Sequence, residues 1–217
     1  MKISSLVFLM ISLLSLTAYP QISGPNFEGA RTLKPGQFEF AANNSSEYSI
    51  NLGKTEKYFH SFGTYIRLGV KKQIDLKLAY NRLSVGRYND GLNLIQISPK
   101  FSSKNGKFAL RLPFGVLFEK YEYHGTSEYE TFFLISARVF YTPVSKRIFE
   151  LSIIPMSEIY FHKAGGSTTS YGLNLGLGFS NNFDIWSIRP EAGALFMCEF
   201  TWGLGISGTF TIGGRDN

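Results

Sequence analysis

The sequence predicts an all-β chain that closes as an antiparallel, up-and-down transmembrane β-barrel of about ten strands, with eight or twelve also fitting. Three observations predict it. Period-2 alternation runs through most of the chain, aromatics gather at strand ends, and charges inside strands keep to one face. The alternation is cleanest in YGLNLGLGF, where Tyr171, Leu173, Leu175, Leu177 and Phe179 share one face. Gly172, Asn174, Gly176 and Gly178 share the other.

Residues 1–18 read as a signal peptide. Lys2 is the charged start, Ile3 to Leu16 a short apolar run broken by serines, and Leu16-Thr17-Ala18 a cleavage site. The run is too short for a membrane helix, and no later apolar run reaches spanning length, so insertion must use strands. The formal net charge of +6 is too diffuse to argue for nucleic acid, which an exported protein rarely meets. Cys198 is the single cysteine, so no intramolecular disulfide framework exists. Residues 19–36 read as an aperiodic periplasmic leader, 37–212 as the barrel and 213–217 as a tail.

The first expected strand, 37–43, alternates Phe38 and Phe40 with Glu39, and a polar stretch 43–57 follows. The second, 58–70, sets Phe62, Ile66, Leu68 and Val70 against Tyr65 and Arg67. Lys71-Lys72-Gln73 turns the chain into 74–81, where Ile74, Leu76, Leu78 and Tyr80 oppose Asp75 and Lys77. In the fourth, 92–101, Leu92 and Leu94 are out of phase with Ile95 and Ile97, which predicts a β-bulge near Leu94. The fifth, 107–119, sets Phe108, Leu110, Phe114, Val116 and Phe118 against Arg111 and Glu119. The sixth, 131–141, sets Phe133, Ile135, Val139 and Tyr141 against Ser136 and Arg138. In the seventh, 148–161, Phe149, Leu151 and Ile153 face out and Glu150 and Glu158 in. The eighth is 171–179. In the ninth, 183–196, Trp186 and Ile188 oppose Arg189 and Glu191. In the tenth, 200–212, Trp202, Leu204, Ile206 and Phe210 oppose Thr201, Gly203 and Gly205.

The connections alternate on this reading. Short turns at 71–73, 102–106, 142–147 and 180–182 face longer loops at 44–57, 82–91, 120–130 and 162–170. The hairpin at 197–199 departs from that rule. Short periplasmic turns against long outer loops mark membrane barrels, and both termini then fall on the periplasmic side. One girdle contains Tyr58, Phe59, Tyr80, Phe118, Tyr121, Phe132, Tyr160, Tyr171, Phe196, Phe200 and Trp202. The other contains Phe101, Phe108, Phe140, Tyr141, Phe149, Phe179, Phe183, Trp186 and Phe210. Pro113, Pro155 and Pro190 fall mid-strand, where a closed barrel has no edge, so bulges are expected there too.

Ten strand charges lie opposite the aliphatic face: Arg67, Asp75, Lys77, Arg111, Glu119, Arg138, Glu150, Glu158, Arg189 and Glu191. Five bases against five acids predict a lumen plugged by ion pairs. A small barrel has room for little else.

The chain resembles the small single-domain outer-membrane β-barrel proteins of Gram-negative bacteria. The signal peptide, strands such as Tyr171–Phe179 and Trp202–Ile212, and turns such as Lys71–Gln73 carry the likeness. The resemblance implies an outer-membrane location, contact with lipid and lipopolysaccharide, and insertion by the barrel-assembly machinery. That machinery commonly reads a C-terminal aromatic; the nearest here is Phe210.

His60, His124 and His162 fall near one rim and are candidate metal ligands. His60, His124 and Ser127, with Ser61 and Glu122 or Glu128, are candidates for Ser/His/acid catalysis. The plain alternative is polar loop chemistry. No cofactor is implied. The function expected is a structural, adhesive or ligand-interacting barrel without catalysis. The alternatives are a lipid-modifying enzyme with a rim His and Ser, a narrow solute channel, and a soluble secreted barrel holding an apolar ligand.

Overall fold

A computed structural model describes residues 27–51, 54–85, 88–123, 126–162, 165–196 and 200–213. The signal-peptide reading lies outside them. The strands are β1 Gln37–Asn51, β2 Lys54–Lys71, β3 Ile74–Val85, β4 Tyr88–Ser102, β5 Phe108–Arg111, β6 Phe114–Tyr123, β7 Thr126–Ser145, β8 Phe149–His162, β9 Ser167–Phe179, β10 Trp186–Phe196 and β11 Phe200–Gly213. Each pairs antiparallel with its neighbours, and β1 pairs β11 from Gln37↔Gly213 to Ser49↔Thr201, which closes the barrel.

Ten staves make the wall, because β5 and β6 are two parts of one. Both hold the same register on β4 (Lys100↔Arg111, Ile97↔Phe114) and on β7 (Arg111↔Arg138, Phe114↔Ile135). The interruption is Leu112-Pro113. Proline has no N–H to donate, yet its carbonyl still accepts from the Ser136 N–H at 2.9 Å. Pro155 and Pro190 are handled alike. Each keeps one partner, Leu173 or Ile206, while the ladder on the other side skips a rung without changing register. The expected bulges at these prolines are therefore replaced by skipped rungs.

The expected bulge near Leu94 is also absent. β3 and β4 hold one register from Ile74↔Phe101 to Ser84↔Gly91, and the shift falls beyond it at Ser84/Val85. Leu92 and Leu94 point inward and are buried, whereas Ile95 and Ile97 point outward. The phase change is real, but it is a change in what fills the lumen. Together with Phe59, Leu83, Leu117, Phe132, Leu134 and Tyr160, the two leucines form an apolar layer inside the barrel.

Four aromatics assigned to the girdles are buried in the lumen instead, three in this layer and Phe140 in a second cluster with Ala30, Ala109 and Ile154. Phe59, Phe132, Phe140 and Tyr160 face inward, because each shares parity with lumen residues of its own strand, such as Ser61, Ser136 and Glu158. Tyr80, Phe118, Tyr171, Phe196, Phe101, Phe108, Tyr141, Phe179, Trp186 and Phe210 do face outward and are exposed.

The long loops expected at 44–57, 82–91, 120–130 and 162–170 are mostly strand. β1 continues to Asn51, β4 begins at Tyr88, β6 reaches Tyr123 and β9 begins at Ser167. In β1 the inward residues are Asn43, Ser45, Glu47 and Ser49. They alternate polar with polar, so no hydrophobic period betrays the strand.

Candidate functional site: a lumen closed by the leader

The described part of the leader lies inside the barrel. Phe27, Glu28, Ala30 and Leu33 are buried. The wall holds the leader largely through its backbone. The Phe27 N–H donates to Glu191 Oε2 at 2.6 Å, and the Ala30 N–H to Thr142 Oγ1 at 2.9 Å. The Lys100 ammonium donates to the Gly29 and Arg31 carbonyls at 2.6 and 2.9 Å. At the barrel mouth the Gly36 N–H donates to the Gly69 carbonyl at 2.9 Å.

Glu28 is the hub. Its carboxylate meets Arg67 Nη1 at 2.9 Å, Lys77 Nζ at 2.6 Å, Lys100 Nζ at 3.2 Å and Arg111 Nη2 at 2.7 Å. These cations come from β2, β3, β4 and β5. Two further carboxylates complete the cluster. Asp75 accepts from Arg111 at 2.9 Å, and Glu39 accepts from Arg67 at 3.1 Å and from the Tyr65 hydroxyl at 3.2 Å. A buried cation left unpaired costs several kcal/mol, so four converging on one lumen require an anion there. No strand supplies that central anion. The leader does.

Smaller clusters flank the hub. Arg189 donates to Glu150 at 2.9 Å, and half-exposed Arg31 lies 3.7 Å from the same carboxylate. Arg138 donates to Glu158 Oε1 at 2.7 Å, and the Tyr160 hydroxyl donates to Oε2 at 2.7 Å. Asn174 Nδ2 donates to Glu191 Oε1 at 2.6 Å. Below the hub, at the end that carries Gly213, a cleft of about 280 Å³ opens between the leader and the wall.

The structure thus brings Arg67, Asp75, Lys77 and Arg111 into one cluster and distributes Arg138, Glu150, Glu158, Arg189 and Glu191 among the others. The side chain of Glu119 lies outside the described residues. Sequence reasoning missed Glu28, Glu39, Glu47 and Lys100 as lumen groups. Lys100 has the parity of Leu92, Leu94, Gln96 and Ser98, a signal that the supposed bulge at Leu94 erased.

Of the candidate rim residues, only His60 and Ser61 have described side chains. His60 sits on the outward parity of β2, and its Nδ1 is 3.2 Å from Ser46 Oγ across the β1–β2 ladder. The adjacent Ser61 faces the lumen and is buried. His124 and the side chains of Ser127 and His162 lie outside the described residues. Among the described residues no group of three or more His, Cys, Asp or Glu is placed to hold a metal ion.

No family model matches the chain, and no curated protein matches it in sequence. Solved structures do match in shape. The translocator domain of the autotransporter NalP from Neisseria meningitidis superposes with a TM-score of 0.53 at 9% identity, over 95% of this chain and 97% of that one. An outer membrane channel from Pseudomonas putida F1 superposes with a TM-score of 0.51 at 10% identity, over 88% of this chain and 100% of that one. The chain has the outer-membrane β-barrel fold. At such identities the likeness is one of fold. The lumen of this barrel is packed with a leader, a charge cluster and an apolar layer.

Proposed function

We propose that the chain is a plugged outer-membrane β-barrel of a Gram-negative envelope, with a structural, adhesive or ligand-interacting role and no conduction. One observation carries the reading: Glu28 of the leader makes ion pairs with four lumen cations, one from each of four strands. The apolar layer around Leu92 and Leu134 closes the same lumen a second time. Membrane insertion is supported by the outward face, where Phe62, Leu78, Leu175, Ile206 and Phe210 are each at least half exposed. So continuous an apolar surface demands lipid or a partner. On this reading its partners are outer-membrane lipid, lipopolysaccharide and the barrel-assembly machinery.

The test has two stages. The detergent-extracted full chain should migrate differently on a gel unheated and boiled, and it should give no discrete conductance in planar bilayers. Soluble protein without a mobility shift would remove the membrane reading. A steady unitary conductance would replace the plug with a narrow solute channel.

The Ser46–His60 pair favours a second reading, a lipid-modifying enzyme with its hydroxyl and imidazole on the lipid-facing side. It requires turnover of phospholipid vesicles that is lost in His60→Ala while the mobility shift persists. Absence of turnover by the full chain removes it.

A further inference from the structure

The outward face of β1 to β4 changes chemistry toward the end opposite Gly213. Leu78, Tyr80, Ile95 and Ile97 are exposed there as part of the apolar belt. The next two rungs carry Asn44, Arg82 and Asn93, then Ser46, His60 and Ser84. The change falls where a membrane interface belongs. Arg82 is the ninth residue of β3 counted from Ile74, and a tilted crossing takes about 9–11 residues. At the same level the Tyr80 hydroxyl donates to Asn93 Oδ1 at 2.8 Å, the posture of an interfacial tyrosine. Arg82 is exposed and, among the described residues, has no ion pair or hydrogen bond. Its guanidinium lies over Gly91, where a Cβ would stand 3.1 Å from Nη2. Gly91 pairs with Ser84, and Ser84 pairs with His60. Guanidinium and imidazole therefore flank Ser84 from its two sides, about two strand spacings apart. The described outward side chains of β1 to β4 include no Asp or Glu.

We propose that the notch over Ser84 binds a phosphate of an outer-leaflet lipopolysaccharide, gripped by Arg82 and His60; this rests on the membrane reading above. An arginine on the outward face is tolerated at the interface and costly deeper, so its charge calls for an anion at headgroup level. A guanidinium offers paired N–H donors that match phosphate oxygens. His60 Nδ1 lies 3.2 Å from Ser46 Oγ; with that hydroxyl donating, Nε2 carries the hydrogen and can donate to the same phosphate. The Ser84 hydroxyl is a third donor, from the floor of the notch. Below it Phe62, Tyr80 and Ile95 present the exposed apolar surface on which the acyl chains of the same lipid lie. A free phosphate would use the donors and leave that surface uncovered, which favours the lipid as occupant.

Purified lipopolysaccharide titrated into the detergent-extracted full chain should raise, saturably, the temperature at which the unheated gel form converts to the boiled form. Lipopolysaccharide stripped of its phosphates should need about tenfold more for the same rise, and inorganic phosphate alone should give none. Arg82→Gln should weaken the response about tenfold with the mobility shift intact. Ser84→Leu, which fills the notch without removing a charge, should weaken it as well. Lys72→Gln, on the exposed turn at the opposite end, should respond like the wild type. An Arg82→Gln barrel that responds like the wild type would overturn the site, as would equal responses to lipopolysaccharide with and without its phosphates. An equal loss in Lys72→Gln would reduce the site to diffuse charge, and a full rise with inorganic phosphate would overturn the lipid as occupant. The two lipopolysaccharide forms decide the matter on the wild type even if Arg82→Gln fails to fold. A mobility shift without any response removes the site alone, whereas soluble protein without a shift removes the membrane reading with it.

Discussion

Glu28 Oε2 and Arg111 Nη2 lie 2.7 Å apart, buried together, although 83 residues separate them in the chain. The contact joins a segment without periodicity to the middle of a barrel stave. Arg111 ends β5, the half-stave that stops before Leu112-Pro113, and its guanidinium also donates to Asp75. The leader is therefore a structural member of the wall's charge network.

Removing the central anion should be severe. Glu28→Gln strips the negative charge from between Arg67, Lys77, Lys100 and Arg111. Breaking a buried pair from one side costs about 3–5 kcal/mol, because the partners stay buried and uncompensated. The temperature at which the unheated gel form converts to the boiled form should fall. Adding Lys100→Met removes one of the stranded cations and should recover part of the loss. Equal conversion temperatures for the wild type and Glu28→Gln would refute the hub.

Leu92→Ala should also be costly. Leu92 is fully buried in the apolar layer, and truncation there leaves a cavity worth about 2–5 kcal/mol. Ile95→Ala on the outward face should cost far less, since detergent or lipid fills the gap. Urea titration of the two variants side by side would check the order.

Ile95→Arg tests the lipid-facing assignment directly. Ile95 is 47% exposed at the middle of β4, opposite Tyr80 and Val116 on its two neighbours. A charge on the lipid face costs about 2–4 kcal/mol at the bilayer midplane and much less near the interfaces. Refolding into lipid vesicles should therefore be weakened for Ile95→Arg and nearly normal for the same change at Phe196, at the end of β10. Equal penalties would argue that Ile95 does not meet the bilayer core.

The wall was legible in the sequence because the lipid face writes a strong period. Leu173, Leu175 and Leu177 need no tertiary information to be placed outward. The lumen is harder to read, because three kinds of side chain occupy the same parity. Charged residues mark it at Arg67 and Arg111, apolar ones at Leu92 and Leu134, and small or polar ones at Ser45 and Asn174. A reader who equates apolar with outward must then invent a bulge at Leu94, and Lys100 is lost with it. Glu28 was not legible at all. Its role depends on the convergence of four strands, which no local pattern encodes.

The seating of the leader can be tested without touching a charge. Gly69 lies where β2 passes the leader, and a Cβ added there would fall 2.0 Å from the Lys34 carbonyl oxygen and 2.7 Å from its carbon. Both atoms are backbone and cannot rotate away. Gly69→Ala should therefore lift the leader from the barrel mouth while leaving the wall paired. Trypsin should cut after Arg31 several-fold faster than in the wild type, with the gel mobility shift retained. Gly208→Ala is the matched control, since a Cβ there meets nothing within 4 Å. An unchanged cleavage rate in Gly69→Ala would mean that the leader is not held against β2 at this point. Loss of the mobility shift would mean that docking of the leader and closure of the barrel cannot be separated.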